Sequence, residues 1–332
     1  MRIKIKILSP VHIGSGEELG SLDYFIDNRV FYRINFDSLF LDPEFLKYSE
    51  SFIKNSAQAR DIREIIKDQK LLIKHSAYSI PVLDGFQPNE ESRRYQVKTF
   101  VKSAGRVFIP GSSLKGAILS AMAYVFLVKE GRESHFRDNS ELLNSVIGKL
   151  SRPQKQEQDK KFSRWLDVTD SDLKNPSQVL SLSLARSLSK GARSSIPIVY
   201  ETIRPGSEFE MEIKTGLPKA NFAWGMNEES ILKCTSIFYK KVWEKDHQFF
   251  EGLKQVQNQI EIREINPQGD NAFLVRLGQG STAYSTSLLL AAKEKGISYE
   301  IHKPKNHPKG PPSTRKLIGG KPMGWAWIIP LD

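Results

Sequence analysis

Hydrophobic and charged residues alternate strictly at the start of the chain. Over residues 2–8, isoleucines alternate with arginine and lysine, and a period of two residues predicts a half-buried β-strand whose outer face is cationic. Further short alternating or apolar runs predict strands at residues 30–34, 106–109, 179–184, 196–203, 208–213, 273–277 and 324–329. The turn Arg204–Ser207 contains a Pro-Gly pair, so it predicts a hairpin that joins the strands on either side of it.

Other segments have apolar residues at helical spacing. Residues 42–76 have this pattern and predict a helical insertion, and residues 228–260 predict one long amphipathic helix. A helix is also predicted from Leu114 to Lys129, with Ser112 or Ser113 as its N-cap.

Strands and helices in this order predict an α+β fold. A length of 332 residues is typical of two domains. The Gln- and Lys-rich stretch 148–164 is the expected boundary, which gives domains at residues 1–150 and 151–332.

Positive charge is concentrated in a few segments. The chain has 49 Lys and Arg against 38 Asp and Glu, a net charge of +11. Residues 149–164, 186–204 and 293–321 contribute +4, +3 and +6, so the remainder of the chain nets −2. Localised positive charge indicates a polyanionic partner such as nucleic acid. Solvated lysine-rich loops are the alternative interpretation.

The cysteine content and the apolar runs bear on the cellular compartment. A single cysteine, Cys234, excludes an internal disulfide and a CxxC zinc cluster, and it indicates a reducing environment. The first residues lack the pattern of a signal peptide. The longest nearly apolar run, residues 117–128, is shorter than the roughly 18–20 residues of a membrane span. We therefore expect a soluble cytoplasmic protein without membrane contact.

Turns rich in glycine and serine occur at Ser9–Gly16, Pro110–Ser113 and Gly278–Thr282. The second turn opens a predicted helix, whose first amides and dipole favour a negative charge. Lys115 adds a full positive charge one residue into that helix. The GxxxxGK[ST] spacing of a nucleotide P-loop is absent. The turn therefore predicts a phosphate contact, and a capped helix with a solvated lysine is the alternative.

Four segments together resemble the RAMP proteins of CRISPR systems. They are Pro10–Glu17 (PVHIGSGE), Ile109–Ile118 (IPGSSLKGAI), Tyr200–Phe209 (YETIRPGSEF) and Leu277–Gly280 (LGQG). The PGSSLKG block is typical of RAMP subunits of type III effectors. The VHIGSGE start, the helical insertion and Pro322–Trp325 most resemble the fifth subunit of the type III-A Csm complex.

The resemblance implies two ferredoxin-like (RRM-like) RAMP domains, the second degenerate, with the helical insertion in the first. It implies a subunit of the interference complex that binds the 3′ portion of the crRNA and assists crRNA maturation and antiviral defence. The implied partners are crRNA, target RNA, the neighbouring Csm backbone subunit, other effector subunits and recruited host nucleases. No cofactor is implied. Leu188–Ser195 resembles the start of the thumb hairpin that type III RAMP subunits insert between guide and target.

The resemblance and the basic segments together give a set of candidate RNA-binding residues. They are His12, Gly14, Ser15, Gly16, Ser112, Ser113, Lys115, Arg152, Lys190, Arg193, Gly278, Gly280 and Ser281. The late turn has only two glycines, fewer than the glycine-rich signature of many RAMP proteins. Trp165, Tyr200 and Trp325 are candidates for base stacking, with core packing as the alternative.

Two residues raise the alternative of catalysis. His12 resembles the general acid or base of Cas6-type nucleases, and Asp23 lies roughly where target-slicing RAMP subunits have an aspartate. Asp167, Asp170 and Asp172 are able to hold Mg²⁺ or to serve as turn and N-cap residues. We predict a non-catalytic, metal-free subunit. A metal-independent endoribonuclease that processes guide precursor and a structural Cmr-branch RAMP subunit are the alternatives.

Overall fold

The computed structural model describes residues 1–59, 61–83, 96–130, 162–189, 198–216, 227–256, 262–296 and 314–331. The strands in these ranges are β1 Arg2–Ile7, β2 Gly14–Leu19, β3 Tyr24–Asp27, β4 Val30–Ile34, β5 Ser76–Pro81, β6 Val97–Phe100, β7 Lys102–Ser103, β8 Arg106–Val107, β9 Leu166–Val168, β10 Leu180–Ser189, β11 Ile198–Ile203, β12 Glu208–Thr215, β13 Phe273–Arg276, β14 Thr314–Ile318, β15 Lys321–Pro322 and β16 Trp325–Leu331. The α-helices are α1 Phe36–Phe40, α2 Leu46–Asn55, α3 Gln69–Lys74, α4 Gly111–Glu130, α5 Phe162–Trp165, α6 Pro176–Val179, α7 Glu228–Val256, α8 Ala283–Thr286 and α9 Leu289–Lys295. These elements confirm the predicted α+β class.

An antiparallel five-stranded sheet has the order β13-β16-β1-β12-β9. The isoleucines of β1 are at most 1% exposed, as their alternation predicts. The cationic side of β1 lies beside the glutamates of β12: Arg2 contacts Glu210 at 2.7 Å and Lys4 contacts Glu208 at 2.9 Å. This cationic face is therefore neutralised within the sheet.

A six-stranded sheet has the order β15-β14-β10-β11-β6-β2. Strand β11 runs parallel to β6, and the other neighbouring pairs are antiparallel. Strand β2 forms one edge, and its register with β6 shifts between Gly14 and Glu18. The exposed glycine-serine segment thus lies at the edge of this sheet.

The predicted hairpin around Arg204–Ser207 is wrong. The strands on either side exist, but β11 pairs with β10 and β6, whereas β12 pairs with β1 and β9. The turn instead carries the chain from one large sheet to the other, and it is held by the backbone bonds Gly206 N to Ile7 O and Ile7 N to Ser207 O. Alternation identified both strands but contained no information about their neighbours.

Helices α4 and α7 pack against each other. Leu114, Ile118 and Val125 of α4 and Phe238 and Val242 of α7 are buried in the main core. The long helix is observed from Glu228 to Val256, and the predicted end at residue 260 lies outside the described residues. Strand β13 and the C-terminal strand β16 complete this core.

Helix α4 begins at Gly111, three residues earlier than predicted, so Ser112 and Ser113 lie inside its first turn. The prediction that either serine is the N-cap is wrong, since Asp170 Oδ1 accepts a hydrogen bond from Gly111 N at 2.7 Å. The stretch Gly111–Val128 is long and apolar enough to cross a membrane by composition, and more than half of it is buried in the protein. A buried core helix gives the same pattern.

The helices predicted within residues 42–76 are present, and a small sheet lies beside them. Helices α1–α3 pack on the antiparallel sheet β3-β4-β5 around a hydrophobic cluster of their own. Phe25, Leu39 and Ile62 are among its buried members. The insertion therefore has a core separate from the main one.

Both large sheets combine strands from either side of residue 150. The pairing of β1 with β12 and β16 is one example. The boundary predicted near residue 150 lies outside the described residues, and it stays a prediction.

Candidate nucleic-acid interface

The structure brings the early glycine-serine loop and the late glycine turn into contact. Gln279 N donates to His12 O at 2.8 Å. Gly278 has φ +67°, and a Cβ placed on it would lie 2.1 Å from that same carbonyl oxygen. Gly280 has φ +88°, and its Cβ would lie 2.7 Å from Met323 Cβ. Glycine is required at both positions because a side chain has neither the backbone freedom nor the space.

His12 is a buried anchor of this contact. Its side chain is 2% exposed, and Nδ1 donates to Glu201 O at 2.7 Å. Its ring lies 4.6 Å from that of Tyr200. Burial lowers the pKa of His12 to about 4, because desolvation outweighs the bond to Glu201 O. The imidazole is therefore neutral at physiological pH.

The carboxylate of Glu201 lies beneath the loop and is fully buried. It accepts hydrogen bonds from Phe100 N at 2.8 Å, from Lys102 Nζ at 2.5 Å and from Tyr78 Oη. Burial, together with this carboxylate, raises the pKa of Tyr78 far above its usual value. Charge-assisted hydrogen bonds thus connect β5, β6 and β7 to β11, the strand whose Glu201 carbonyl accepts the hydrogen bond from His12.

The residues that follow His12 are accessible. Gly14, Ser15 and Gly16 are all exposed along the edge strand β2. The Ser15 hydroxyl forms a hydrogen bond with the Thr99 hydroxyl, and it accepts a second one from Glu17 N at 3.0 Å. A short side chain and two glycines allow another chain to approach this backbone closely.

Two lysines that the sequence analysis did not select lie beside the loop. Lys98 on β6 is the register partner of Tyr200, and Lys316 Nζ on β14 donates to Tyr200 Oη at 2.9 Å. Lys98 Nζ also pairs with Glu18 Oε1 at 2.7 Å. Burial is the main cause of the low pKa of His12, and both lysines lower it further, so they lie close to the loop. Lys316 lies in the basic segment 293–321, whereas Lys98 lies outside all three basic segments. Neither lysine was identified individually, because their strands become neighbours of the loop only through sheet pairing.

The Pro110–Ser113 turn packs against β9. A Cβ on Gly111 would lie 2.1 Å from Val168 O, so the chain passes close to β9. Ser112 is exposed, whereas Ser113 and Lys115 are half-buried. The structure describes no contact between these residues and the early glycine-serine loop, residues Ser9–Gly16, which we call the His12 loop. The two helices that follow the turns, α4 and α8, do meet. Tyr239 Oη of α7 lies 3.3 Å from Ala117 O of α4 and 3.5 Å from Ser285 O of α8, and its single proton is donated to one of them at a time.

Three of the four aspartates raised as catalytic residues or metal ligands have structural contacts, and the fourth, Asp167, is exposed on β9. Asp23 Oδ2 accepts from Gly20 N at 2.6 Å, and its carboxylate pairs with Arg33 at 3.1 Å. Asp170 caps α4. Asp172 accepts from Glu210 N at 2.8 Å and pairs with Lys174 at 2.6 Å. Asp170 and Asp172 thus have the cap and turn roles that were the alternative to Mg²⁺.

The aromatic residues offered for base stacking differ in exposure. Tyr200 and Trp325 are at most 1% exposed and belong to the core, which is the alternative interpretation. Trp165 is half-buried, and its ring lies against Gly216.

Much of the three basic segments, with Arg152, Lys190 and Arg193, lies outside the described residues. Ser281 is half-buried in the late turn, beside the exposed Gly278. Among the described cations of these segments, Arg315 is 2% exposed and bonds to Asp246. Arg186, Lys293 and Lys295 of the same segments are exposed.

The model of the RAMP superfamily matches residues 4–306. The chain belongs to the RAMP superfamily. Two curated relatives are described as "CRISPR system Cms protein Csm5". The Streptococcus thermophilus protein is 25% identical over 304 residues, 88% of this chain and 80% of that protein. The Methanocaldococcus jannaschii protein is 28% identical over 129 residues, 38% of this chain and only 30% of that protein.

Two solved structures share the fold. A chain in a cryo-EM structure of a Csm-crRNA-target RNA ternary complex of the type III-A system has a TM-score of 0.70, at 22% identity, with coverage of 99% of this chain and 100% of that one. The crystal structure of T. onnurineus Csm5 gives 0.66, at 22% identity, with coverage of 97% and 99%. The resemblance to a type III-A Csm RAMP subunit, most like the fifth, is confirmed. These relatives favour the Csm branch over the Cmr branch.

Proposed function

We propose that this RAMP protein is a non-catalytic crRNA-binding subunit of a type III-A Csm interference complex. It holds the 3′ portion of the guide and assists crRNA maturation and antiviral defence in the cytoplasm. Its partners in this proposal are crRNA, target RNA, the neighbouring backbone subunit, other effector subunits and recruited host nucleases. The proposal also includes a division of the chain into two ferredoxin-like domains.

One observation carries the proposal: the contact between the His12 loop and the Gly278–Gly280 turn, with Lys98 and Lys316 beside it. Exposed backbone and lysine ammonium groups bind phosphate and sugar, which are the same for every sequence. A subunit that must accept any guide needs contacts of this kind. The names of the relatives support the same assignment.

Replacement of the two lysines tests the electrostatic part. Lys98→Met/Lys316→Met keeps the apolar stems and removes two charges next to the loop. The matched control, Lys54→Met/Lys240→Met, removes two exposed charges from α2 and α7. Binding of a fluorescent single-stranded guide RNA is measured by anisotropy from 50 to 400 mM salt. Each lost phosphate contact lowers the slope of log K against log salt by about 0.7.

We expect the first double variant to bind more weakly, with a slope shallower by about 1.4, and the control to match the wild type. Equal behaviour of the two double variants would contradict the placement of RNA beside the His12 loop. Co-purification with other Csm subunits tests the assignment to the complex separately.

The non-catalytic part of the proposal rests on the burial of His12. A neutral ring that is 2% exposed and hydrogen-bonded through Nδ1 has little access to a scissile phosphodiester. Guide-precursor RNA is incubated with the protein, with its His12→Ala variant and with EDTA. We expect no protein-dependent cleavage. EDTA-resistant cleavage that disappears in His12→Ala would assign the chain to the processing endoribonucleases instead.

A further inference from the structure

A group of possible metal ligands lies at the C-terminal end of α7, away from the loops described above. His247 and Glu251 are one helical turn apart on α7, and Glu264 comes from the segment after the helix. One donor atom of each side chain lies within 4.8 Å of the other two. We propose that these three residues bind a divalent first-row transition metal ion, with Zn²⁺ as its representative.

The donors suit this class of ion. Imidazole nitrogen and carboxylate oxygen bind Zn²⁺ at about 2.0–2.2 Å, and three protein ligands leave a fourth position for water. A tetrahedral ion with such bonds holds its ligands about 3.5 Å apart. All three side chains are at least partly exposed, so rotations about their side-chain bonds bring the donors to that spacing.

Contacts outside the group hold two of the donors in place. Trp243 stacks on the His247 ring with the centroids 5.2 Å apart and the planes 11° from parallel. The same indole donates from Nε1 to Ile265 O at 3.2 Å, one residue after Glu264. One tryptophan thus fixes both the imidazole and the segment that carries the carboxylate. Support of this kind orients ligands in metal sites.

A cation already occupies the space between the carboxylates. Lys254 Nζ lies 2.9 Å from Glu251 Oε1 and 3.3 Å from Glu264 Oε1. The Glu251 pKa is lowered, chiefly by its hydrogen bond from Lys254. With a neutral imidazole, two carboxylates and one ammonium leave a net charge of −1. A divalent ion replaces the ammonium and neutralises both carboxylates, while the flexible lysine stem turns to solvent.

Binding also requires a change at the imidazole. His247 Nδ1 lies 2.5 Å from Glu264 Oε2, so a neutral ring that donates there carries its proton on Nδ1. To ligate through Nδ1, the ring moves that proton to Nε2, and Glu264 exchanges the hydrogen bond for the metal. A protonated ring releases one proton to solvent. The proton and the metal ion therefore compete for Nδ1.

Titration of the full-length, chelator-treated protein with Co²⁺ and Zn²⁺ tests the site, by absorption and by calorimetry. We expect one ion per chain with a visible Co²⁺ band. His247→Ala and Glu264→Gln should weaken binding at least tenfold, and Lys254→Met should tighten it because the competing ammonium is gone.

His75→Gln is the matched control. His75 also bonds to a carboxylate, Asp42 Oδ2, at 2.6 Å, in a part of the protein remote from α7 in sequence. The control should keep wild-type affinity. Thermal unfolding of each variant establishes that it folds, and unchanged RNA binding separates this site from the proposed function. Saturable binding that His247→Ala leaves intact, or no saturable binding in either the wild type or Lys254→Met, would overturn the proposal.

Discussion

The burial of His12 makes the stability of the protein depend on pH. Its pKa falls from 6.5 to about 4 on folding, chiefly because burial penalises the charged ring. Between these values the unfolded chain binds more protons than the native protein, so stability rises with pH in this window. The contribution is fully present above pH 6.5 and is lost as the pH falls towards 4. A shift of this size corresponds to about 3 kcal/mol.

His12→Gln isolates this contribution, because the glutamine amide is able to donate to Glu201 O and does not titrate. Urea unfolding followed by tryptophan fluorescence gives the free energy of unfolding at intervals from pH 4 to 7.5. We expect the wild type to lose up to about 1.4 kcal/mol more per pH unit than the variant within the window. Parallel pH profiles of the two proteins would refute the assignment of a buried neutral imidazole at position 12.

Other substitutions test separate contacts. Gly278→Ala places a methyl group against the His12 carbonyl of the facing loop, and it should lower both the melting temperature and the RNA affinity. Gly16→Ala is the control: Gly16 also has a positive φ but lies in open space, so this substitution should lower the melting temperature less. Asp170→Ala removes the acceptor of the first amide of α4 and should cost about 1 kcal/mol in chemical denaturation. Asp42→Asn should reduce the acid sensitivity of the insertion. The hydrogen bond from Lys74 lowers the pKa of Asp42, so this pairing stabilises the fold above the unfolded pKa of the carboxyl group, and the stabilisation is lost as the pH falls. Circular dichroism at a series of pH values measures this loss of structure.

The segment 2–8 illustrates how far local pattern reaches. Its alternation predicted a strand with isoleucines inside, and β1 has that form. The same pattern did not reveal that glutamates of β12 would lie beside the lysines and neutralise them. Likewise, Arg204–Ser207 was recognised as a turn but not as a passage between two sheets. Periodicity depends on neighbours along the chain, whereas strand pairing depends on residues far away in sequence.

The candidate site divides in the same way. The sequence by itself determined the helical insertion, the long amphipathic helix and the three glycine-serine turns, because these depend on local spacing and backbone freedom. Only the tertiary structure decided that two of the turns touch, that Lys98 and Lys316 lie beside them, and that His12 is a neutral anchor. Burial and electrostatic potential are set by what packs around a group, and for His12 that environment comes from β6, β11 and β14.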